Sequence, residues 1–266
     1  MKMMGENKGK KPNYGYTAVK YFAYMGVIGL IGLCVALIGT FLTPPFSTLL
    51  MLVGIPVAFV GFWIAVSYAI LYNSLFKREP QGKLWRKITE FLDIRGDEKI
   101  LDVGCGTGRA SINLAKQLTL GKVTGIDIFG GVSGTSPDPA LRNAKIEGVV
   151  DKVEFKHGNI LRIPFKDNAF DVVNASSVLH EIHGDEDQQK AMREIYRVLK
   201  PTGKFVTLEI LRTPKLFLVT LLFGFVWSPK ERWMDLLKRS GLKNLKVAVV
   251  KGLLDAGIFV AEKPRK

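Results

Sequence analysis

Ile100-Leu101-Asp102-Val103-Gly104-Cys105-Gly106-Thr107-Gly108 is the stretch that decides the fold. A β-type run from Lys99 to Val103 ends in three glycines at alternate positions, and a helical pattern then runs from Arg109 to Gln117. A glycine loop between a strand and a helix lets a ligand touch the backbone and face the helix N-terminus, where unpaired N–H groups point outward. The dinucleotide fingerprint wants its third glycine three residues after the second, and Arg109 stands there. No Lys-Ser/Thr pair follows, as a phosphate-binding loop would require. The next acidic residue at a strand end is Asp127, where a carboxylate can accept both hydroxyls of a ribose. On these residues alone two readings stay open: a nucleoside site, or a turn of glycines with a helix-capping aspartate.

Further short β-type runs follow at Lys122 to Ile126, Lys152 to Phe155, Phe170 to Asn174 and Lys204 to Glu209, alternating with helical patterns such as Glu186 to Leu199. Leu84, Trp85, Ile88, Phe91 and Leu92 recur at helical spacing and predict an amphipathic helix before the first strand. Strand and helix in alternation predict an α/β, Rossmann-like, doubly wound sheet covered on both faces. Leu245 to Val250 and Ala256 to Ala261 are close enough to pair as an antiparallel edge, giving seven strands.

The Asp-Val-Gly-Cys-Gly-Thr-Gly loop resembles motif I of class I S-adenosylmethionine-dependent methyltransferases. The similarity runs from Tyr72 to Lys263: Gly158-Asn159-Ile160 matches the adenine-contacting loop, Ile163-Pro164-Phe165 with Asp167, Phe170 and Asp171 matches "LPF.D..FD", and Arg197 to Gly203 matches "R.LKPGG". Within that family the stretch Met192 to Ile210 and the closing Ala256-Gly257-Ile258 are most similar to prenylquinone C-methyltransferases. The resemblance implies S-adenosyl-L-methionine as cofactor. It implies that Asp102, Gly104, Gly106, Thr107 and Gly108 cradle its methionine end, that Asp127 holds the ribose, that Asn159 and Ile160 meet the adenine, and that Ser176 touches the cofactor from the other side. Three departures stand out: Asn159 where the family has Asp, a longer loop from Phe129 to Asp138, and Thr202 in place of a common second glycine.

In such enzymes the sulfonium supplies the reactivity and the protein supplies proximity and orientation. Where an acceptor proton must leave, His180 and Glu181 after the fourth strand and Glu209 at the end of the fifth are the candidate bases, with His180 equally a positioning or packing residue. His183 and His157 rank below them, and three scattered histidines make no metal site. Leu216 to Trp227 is uncharged and mostly apolar, flanked by Lys215 and Lys230, and too short to span a bilayer. It is read either as an interfacial lid admitting a lipophilic acceptor or as an ordinary buried helix. Ser228-Pro229-Lys230-Glu231 reads as a capping box opening the next helix.

Between Lys20 and Lys77 lie 56 residues without Asp, Glu, Lys, Arg or His. Two stretches, 21–42 and 48–72, each reach the roughly 20 apolar residues of a membrane span, and Thr43-Pro44-Pro45-Phe46-Ser47 separates them. The expected organisation is a basic tail over 1–20, a transmembrane hairpin over 21–76 and a methyltransferase domain over 77–266. A cleaved signal is disfavoured by the long preceding segment and the second span. Lys2, Lys8, Lys10, Lys11 and Lys20 before the hairpin, and Lys77, Arg78, Lys83, Arg86 and Lys87 after it, put both flanks and the domain on the cytoplasmic side of the cell membrane. Small residues at Gly26, Gly29, Gly32, Ala36 and Gly39 let helix backbones approach, within the hairpin or between copies. With no ionisable residue in either span, a transport role lacks its chemistry.

The tail's charge leaves +10 of the net +14 on the domain, which predicts attraction to anionic membrane lipids. The dispersed lysines carry no nucleic-acid motif, so no nucleic-acid partner is expected. Two cysteines, Cys34 and Cys105, are too few for a disulfide framework. The reading that follows is a membrane-anchored methyltransferase of a quinone or lipid. Its alternatives are a methyltransferase of a protein or soluble small molecule, the anchor serving localisation, and a non-catalytic cofactor-binding scaffold.

Overall fold

The computed structural model describes residues 11–14, 19–72, 80–130, 136–252 and 254–265. Residues 131–135 of the long loop after Asp127 lie outside the described residues, as do Lys2, Lys8, Lys10, Lys77 and Arg78 of the orientation argument. The chain divides into two compact units, Gly15–Arg78 and Met1–Tyr14 with Glu79–Lys266.

The first unit is a pair of helices, α1 (Val19–Gly39) and α2 (Phe46–Tyr72). Gly26 faces Ala65, Gly32 faces Ala58 and Gly39 faces Leu50, so the two run antiparallel. A methyl group on Gly32 would come within 2.5 Å of the Ala58 backbone nitrogen, and one on Gly54 equally close to that of Ala36. The small residues therefore serve contact between the two helices of one chain. Their outward faces expose large apolar side chains, among them Leu30, Ile31, Leu52 and Phe59, a contiguous apolar surface of the kind that marks contact with a partner or a membrane. Among the described residues one helix, Phe46–Ile70, is long and apolar enough to cross a membrane, and Ala23–Gly39 counts as a shorter apolar helix. The expected two spans thus reduce here to one helix of spanning length. The first helix stops at Gly39 rather than Leu42, because the chain already turns at Thr40 towards Pro44 and Pro45.

In the second unit α3 (Pro80–Leu92) leads into a single sheet of β1 (Lys99–Val103), β2 (Lys122–Asp127), β3 (Val153–His157), β4 (Phe170–Asn174), β5 (Leu199–Ile210), β6 (Lys243–Val250) and β7 (Ala256–Glu262). Their order is β3-β2-β1-β4-β5-β7-β6, with β1 to β5 parallel and β7 antiparallel to both neighbours. The alternating α/β pattern thus gives the Rossmann-like seven-stranded sheet expected. The last two strands do pair, but β7 lies inside, between β5 and β6. Its six residues from Ala256 to Ala261 are buried, whereas β6 carries exposed Lys243 and Val249, as an edge strand tolerates.

Successive strand residues point to opposite faces. Ile100 joins the core with Ile88 of α3, Ile112 of α4 (Arg109–Ala115) and Ala144 of α5 (Asp138–Ile146), while Leu101 joins Ile195 of α6 (Asp185–Val198) and Trp233. A short helix α7 (Pro214–Thr220) precedes α8 (Lys230–Arg239), which carries Trp233. Arg197 at the end of α6 donates to the carbonyls of Ile163 (2.9 Å) and Phe165 (2.8 Å) and pairs with Asp167 and Glu194. Two of the sequence motifs are thereby stapled to each other. Thr202 has φ 64°, the left-handed region that a glycine would occupy without strain.

Because β1 and β4 are neighbours where the strand order reverses, the connections leaving them go to opposite faces and open a crevice at their carboxyl ends. The site lies there.

Candidate active site

The glycine loop is stitched to β2 from its first residue. The N–H groups of Gly104 and Cys105 both donate to the Ile126 carbonyl, at 2.8 and 3.1 Å. Gly104 has φ 71°, and a side chain on it would run into Val178 at 2.5 Å. Gly108, at φ 82°, caps α4 in the left-handed conformation. Asp127 then fixes the loop's midpoint: one carboxylate oxygen accepts from Gly106 N–H (2.9 Å), the other from Phe129 N–H (2.7 Å). Each oxygen keeps a second acceptor direction, so the carboxylate retains the capacity for two ribose hydroxyls. A bare backbone cradle beside that carboxylate fits an adenosine-bearing cofactor.

Asp102 is buried under the loop, 1 % exposed, and accepts from the Ser111 hydroxyl and from Asn174 Nδ2 (2.6 Å). Burial pushes its carboxyl up to about 6, against the pull of those two bonds. Asn174 in turn accepts from the Ser176 hydroxyl (2.7 Å). Asp102 and Ser176, both expected at the cofactor, thus belong to one polar chain, Ser111–Asp102–Asn174–Ser176, running under the crevice. Thr107 is buried in the loop, its carbonyl bonded by Asn143 Nδ2 at 3.0 Å.

The segment after β3 is brought alongside by Gly158 N–H donating to the Asp127 carbonyl (3.0 Å). Asn159 follows, exposed, its Oδ1 accepting from Leu161 N–H (2.8 Å), and Ile160 packs half-buried against the core.

His180 and Glu181 lie in a short 3₁₀ turn, Leu179–Glu181, beyond β4. His180 Nδ1 sits 2.8 Å from Oε2 of Glu209, which is completely buried at the end of β5 and also accepts from Leu179 N–H (3.1 Å). With Nδ1–H donating to Glu209, the neutral ring carries its lone pair on Nε2. Burial works against protonation, but the charge and hydrogen bond of Glu209 outweigh it and hold the imidazole above its ordinary pKa. Glu181 is also raised, chiefly by burial, with His180 opposing and Asp127 and Glu209 adding to the rise. The Trp227 ring covers His180 at 5.9 Å, and among the described residues its buried indole nitrogen has no hydrogen-bond partner. His157 and His183 are exposed, and among the described residues no His, Cys, Asp and Glu group of three or more could hold a metal.

The apolar stretch 216–227 forms α7 and a 3₁₀ run, Leu221–Val226. Leu216 and Thr220 face inward, while Leu218 (74 %) and Phe225 (64 %) are exposed. Phe223 of the same stretch lies outside the residues whose side chains are described. The expected capping box does not form. Pro229 occupies the cap position with no side-chain bond, which displaces Ser228 by one residue.

Sequence reasoning passed over Ser111, Asn174, Asn143 and Tyr14. For Asn174 the signal was an amide closing the apolar strand Phe170 to Asn174, where a buried polar group demands partners.

Residues 101–207 match the family described as methyltransferase domain. The chain is 38% identical over 129 residues to a demethylmenaquinone methyltransferase of Lactiplantibacillus plantarum, covering 47% of this chain and 51% of that one. It thus spans about half the length of the curated relatives it matches. Among solved structures, a SAM-dependent methyltransferase of Methanosarcina mazei aligns with a TM-score of 0.56 at 22% identity, covering 67% of this chain and 98% of that one. The cyclase SpnF aligns with a TM-score of 0.57 at 23% identity, covering 69% and 81%. Residues 101–207 therefore match a methyltransferase-domain family, and the sheet and its helices share the fold of a SAM-dependent methyltransferase.

Proposed function

We propose that the protein is an S-adenosylmethionine-dependent methyltransferase acting on a lipophilic acceptor, a quinone or a lipid, at the cytoplasmic face of the cell membrane. The pairing of His180 with fully buried Glu209, next to the glycine loop and Asp127, carries this reading. Asp127 holds the ribose, the amides around Gly104, Gly106 and Gly108 receive the methionine end with Asp102 and Thr107 behind them, and Asn159 with Ile160 borders the adenine. When bound, the cofactor supplies an electrophilic methyl group.

His180 Nε2 takes the acceptor's proton, and Glu209 fixes the tautomer and stabilises the imidazolium that forms. Glu181 adds negative potential to the same end. The unpartnered indole N–H of Trp227 favours an acceptor that brings an oxygen into this apolar corner, because leaving it unbonded costs about 1–3 kcal/mol.

Support for a lipophilic acceptor comes from the exposed Leu218 and Phe225, flanked by Lys215 and Lys230, a combination suited to an interfacial lid. The curated relatives are named for demethylmenaquinone. We read α1 and α2 together as a two-span anchor. The described segment before the hairpin, 11–14, folds with the domain that follows it, which supports both flanks lying on one side. The SpnF likeness favours a second reading, since its fold serves a cyclase: a cofactor-binding protein that transfers no methyl group.

The experiment is incubation of the full chain in detergent with methyl-labelled S-adenosylmethionine and total membrane lipid. Label in the organic phase is expected, and its loss in a Leu218→Ser/Phe225→Ser variant that keeps cofactor affinity supports the lid. Cofactor binding without any transfer overturns the enzyme reading, and transfer to protein alone overturns the acceptor class.

A further inference from the structure

Lys11 to Tyr14 precedes the apolar hairpin in sequence, yet it packs on the glycine loop of the domain that follows it. Asn143 of α5, completely buried, is the joint. Its Oδ1 accepts from Asn13 N–H (2.9 Å), and its Nδ2 donates both to the Asn13 carbonyl (2.8 Å) and to the Thr107 carbonyl (3.0 Å). One side-chain amide thus pairs with the backbone of Asn13 as a neighbouring strand would, and passes the connection to the loop. The Thr107 hydroxyl donates to the Tyr14 carbonyl (3.4 Å), and the Arg109 guanidinium lies 4.7 Å from the centroid of the Tyr14 ring. The Tyr14 hydroxyl donates to Glu147 (3.1 Å), whose other oxygen pairs with Lys116 at 2.7 Å.

Thr107 and Arg109 bracket Gly108, the left-handed residue on which the turn into α4 depends. We infer that Asn13 and Tyr14 are positioning residues of the cofactor site: the segment before the hairpin holds Thr107 and Arg109 so that the loop is preformed for its ligand. The inference rests on the reading that this loop binds S-adenosylmethionine. Without the segment, the buried Asn143 amide loses the donor to its Oδ1 and one of the two acceptors of its Nδ2, keeping only the Thr107 carbonyl, and water or rearrangement must satisfy the rest. A loop that must then be ordered by its ligand binds more weakly.

The test uses the full chain in detergent, with S-adenosylhomocysteine as the probe, by calorimetry and thermal melting. Tyr14→Ala removes the ring under Arg109 and the bond to Glu147, and weakens affinity about tenfold. Tyr14→Phe keeps the ring and stays within about threefold of the unmodified chain. Asn13→Pro deletes the N–H given to Asn143 and weakens binding several-fold, at an exposed position where folding is not at risk. In Tyr14→Ala and Asn13→Pro the rise in melting temperature caused by the probe shrinks, while the ligand-free melting temperature holds, which a merely structural contact would not produce. Affinity unchanged in both variants, or a lower ligand-free melting temperature with unchanged affinity, overturns this inference alone. No binding by the unmodified chain overturns the reading of the loop and this inference with it.

Discussion

At Gly32 and Gly54 the hairpin brings two backbones together by leaving side chains out, whereas at Asp102 the carboxyl end of the sheet's centre buries polar groups that bond one another. In the hairpin, contact between the two helices needs only shape, and the energy is dispersion spread over many small contacts. Beneath the glycine loop the buried Asp102 carboxylate near the end of β1 is satisfied by Ser111 and Asn174, and the Asn174 amide oxygen by Ser176. The first region tolerates no added volume and the second tolerates no lost partner. Substitutions at each should fail in opposite ways.

The largest effect is expected at Asp127. Asp127→Ala removes the acceptor of Gly106 N–H together with the ribose contact proposed for it, and should weaken S-adenosylhomocysteine binding about 100-fold by calorimetry, at roughly 1.5–3 kcal/mol for each bond to a charged group. Gly32→Leu attacks the other region. Forcing volume between the helices should cost the hairpin about 1–3 kcal/mol in a denaturant titration in detergent, while the affinity for the probe stays within about twofold. A fall in affinity as large as that at Asp127 would erase the contrast between the regions.

Glu209→Gln tests whether the dyad titrates. The carboxylate raises the His180 pKa, so a base that must be neutral gains activity as pH climbs through that raised value. Without the charge, the rise in kcat/KM should move to lower pH and the plateau should fall about tenfold. An unmoved inflection removes His180 as the base. A smaller signal comes from Asp102, whose carboxyl is held at about 6 by burial. A cationic ligand favours its ionised form, so binding near that pH should release a fraction of a proton and tighten as pH rises through it. Calorimetry in buffers of different ionisation enthalpy measures the release, and Asp102→Asn should abolish it. The smallest change is a gain: Thr202→Gly relieves a left-handed threonine and should stabilise the domain by about 1 kcal/mol on thermal melting.

The glycine loop, Asp127 and the parallel strands were legible because each is written in consecutive residues, an apolar run followed by a turn. Thr202 was visible as a missing glycine, and its positive φ is the corresponding strain. The place of β7 was not legible: a short gap to β6 indicates pairing, but which strand turns inward depends on the free edge that β5 offers. Nor was the clasp on the loop. Asn13 and Asn143 lie 130 positions apart, no local periodicity joins them, and the lysines of the tail were read for orientation instead. The capping box failed because Pro229 already holds the extended backbone that starts α8. The end of α1 at Gly39 was misplaced for a similar reason: hydropathy counts residues up to the prolines, and the backbone turns before them.

Asn13 leaves the ribosome long before Asn143, and the whole apolar hairpin is made between them. The clasp can therefore form only after the hairpin has been synthesised. A copy in which the segment before the hairpin has not yet reached Asn143 would carry a folded sheet with an unfinished loop.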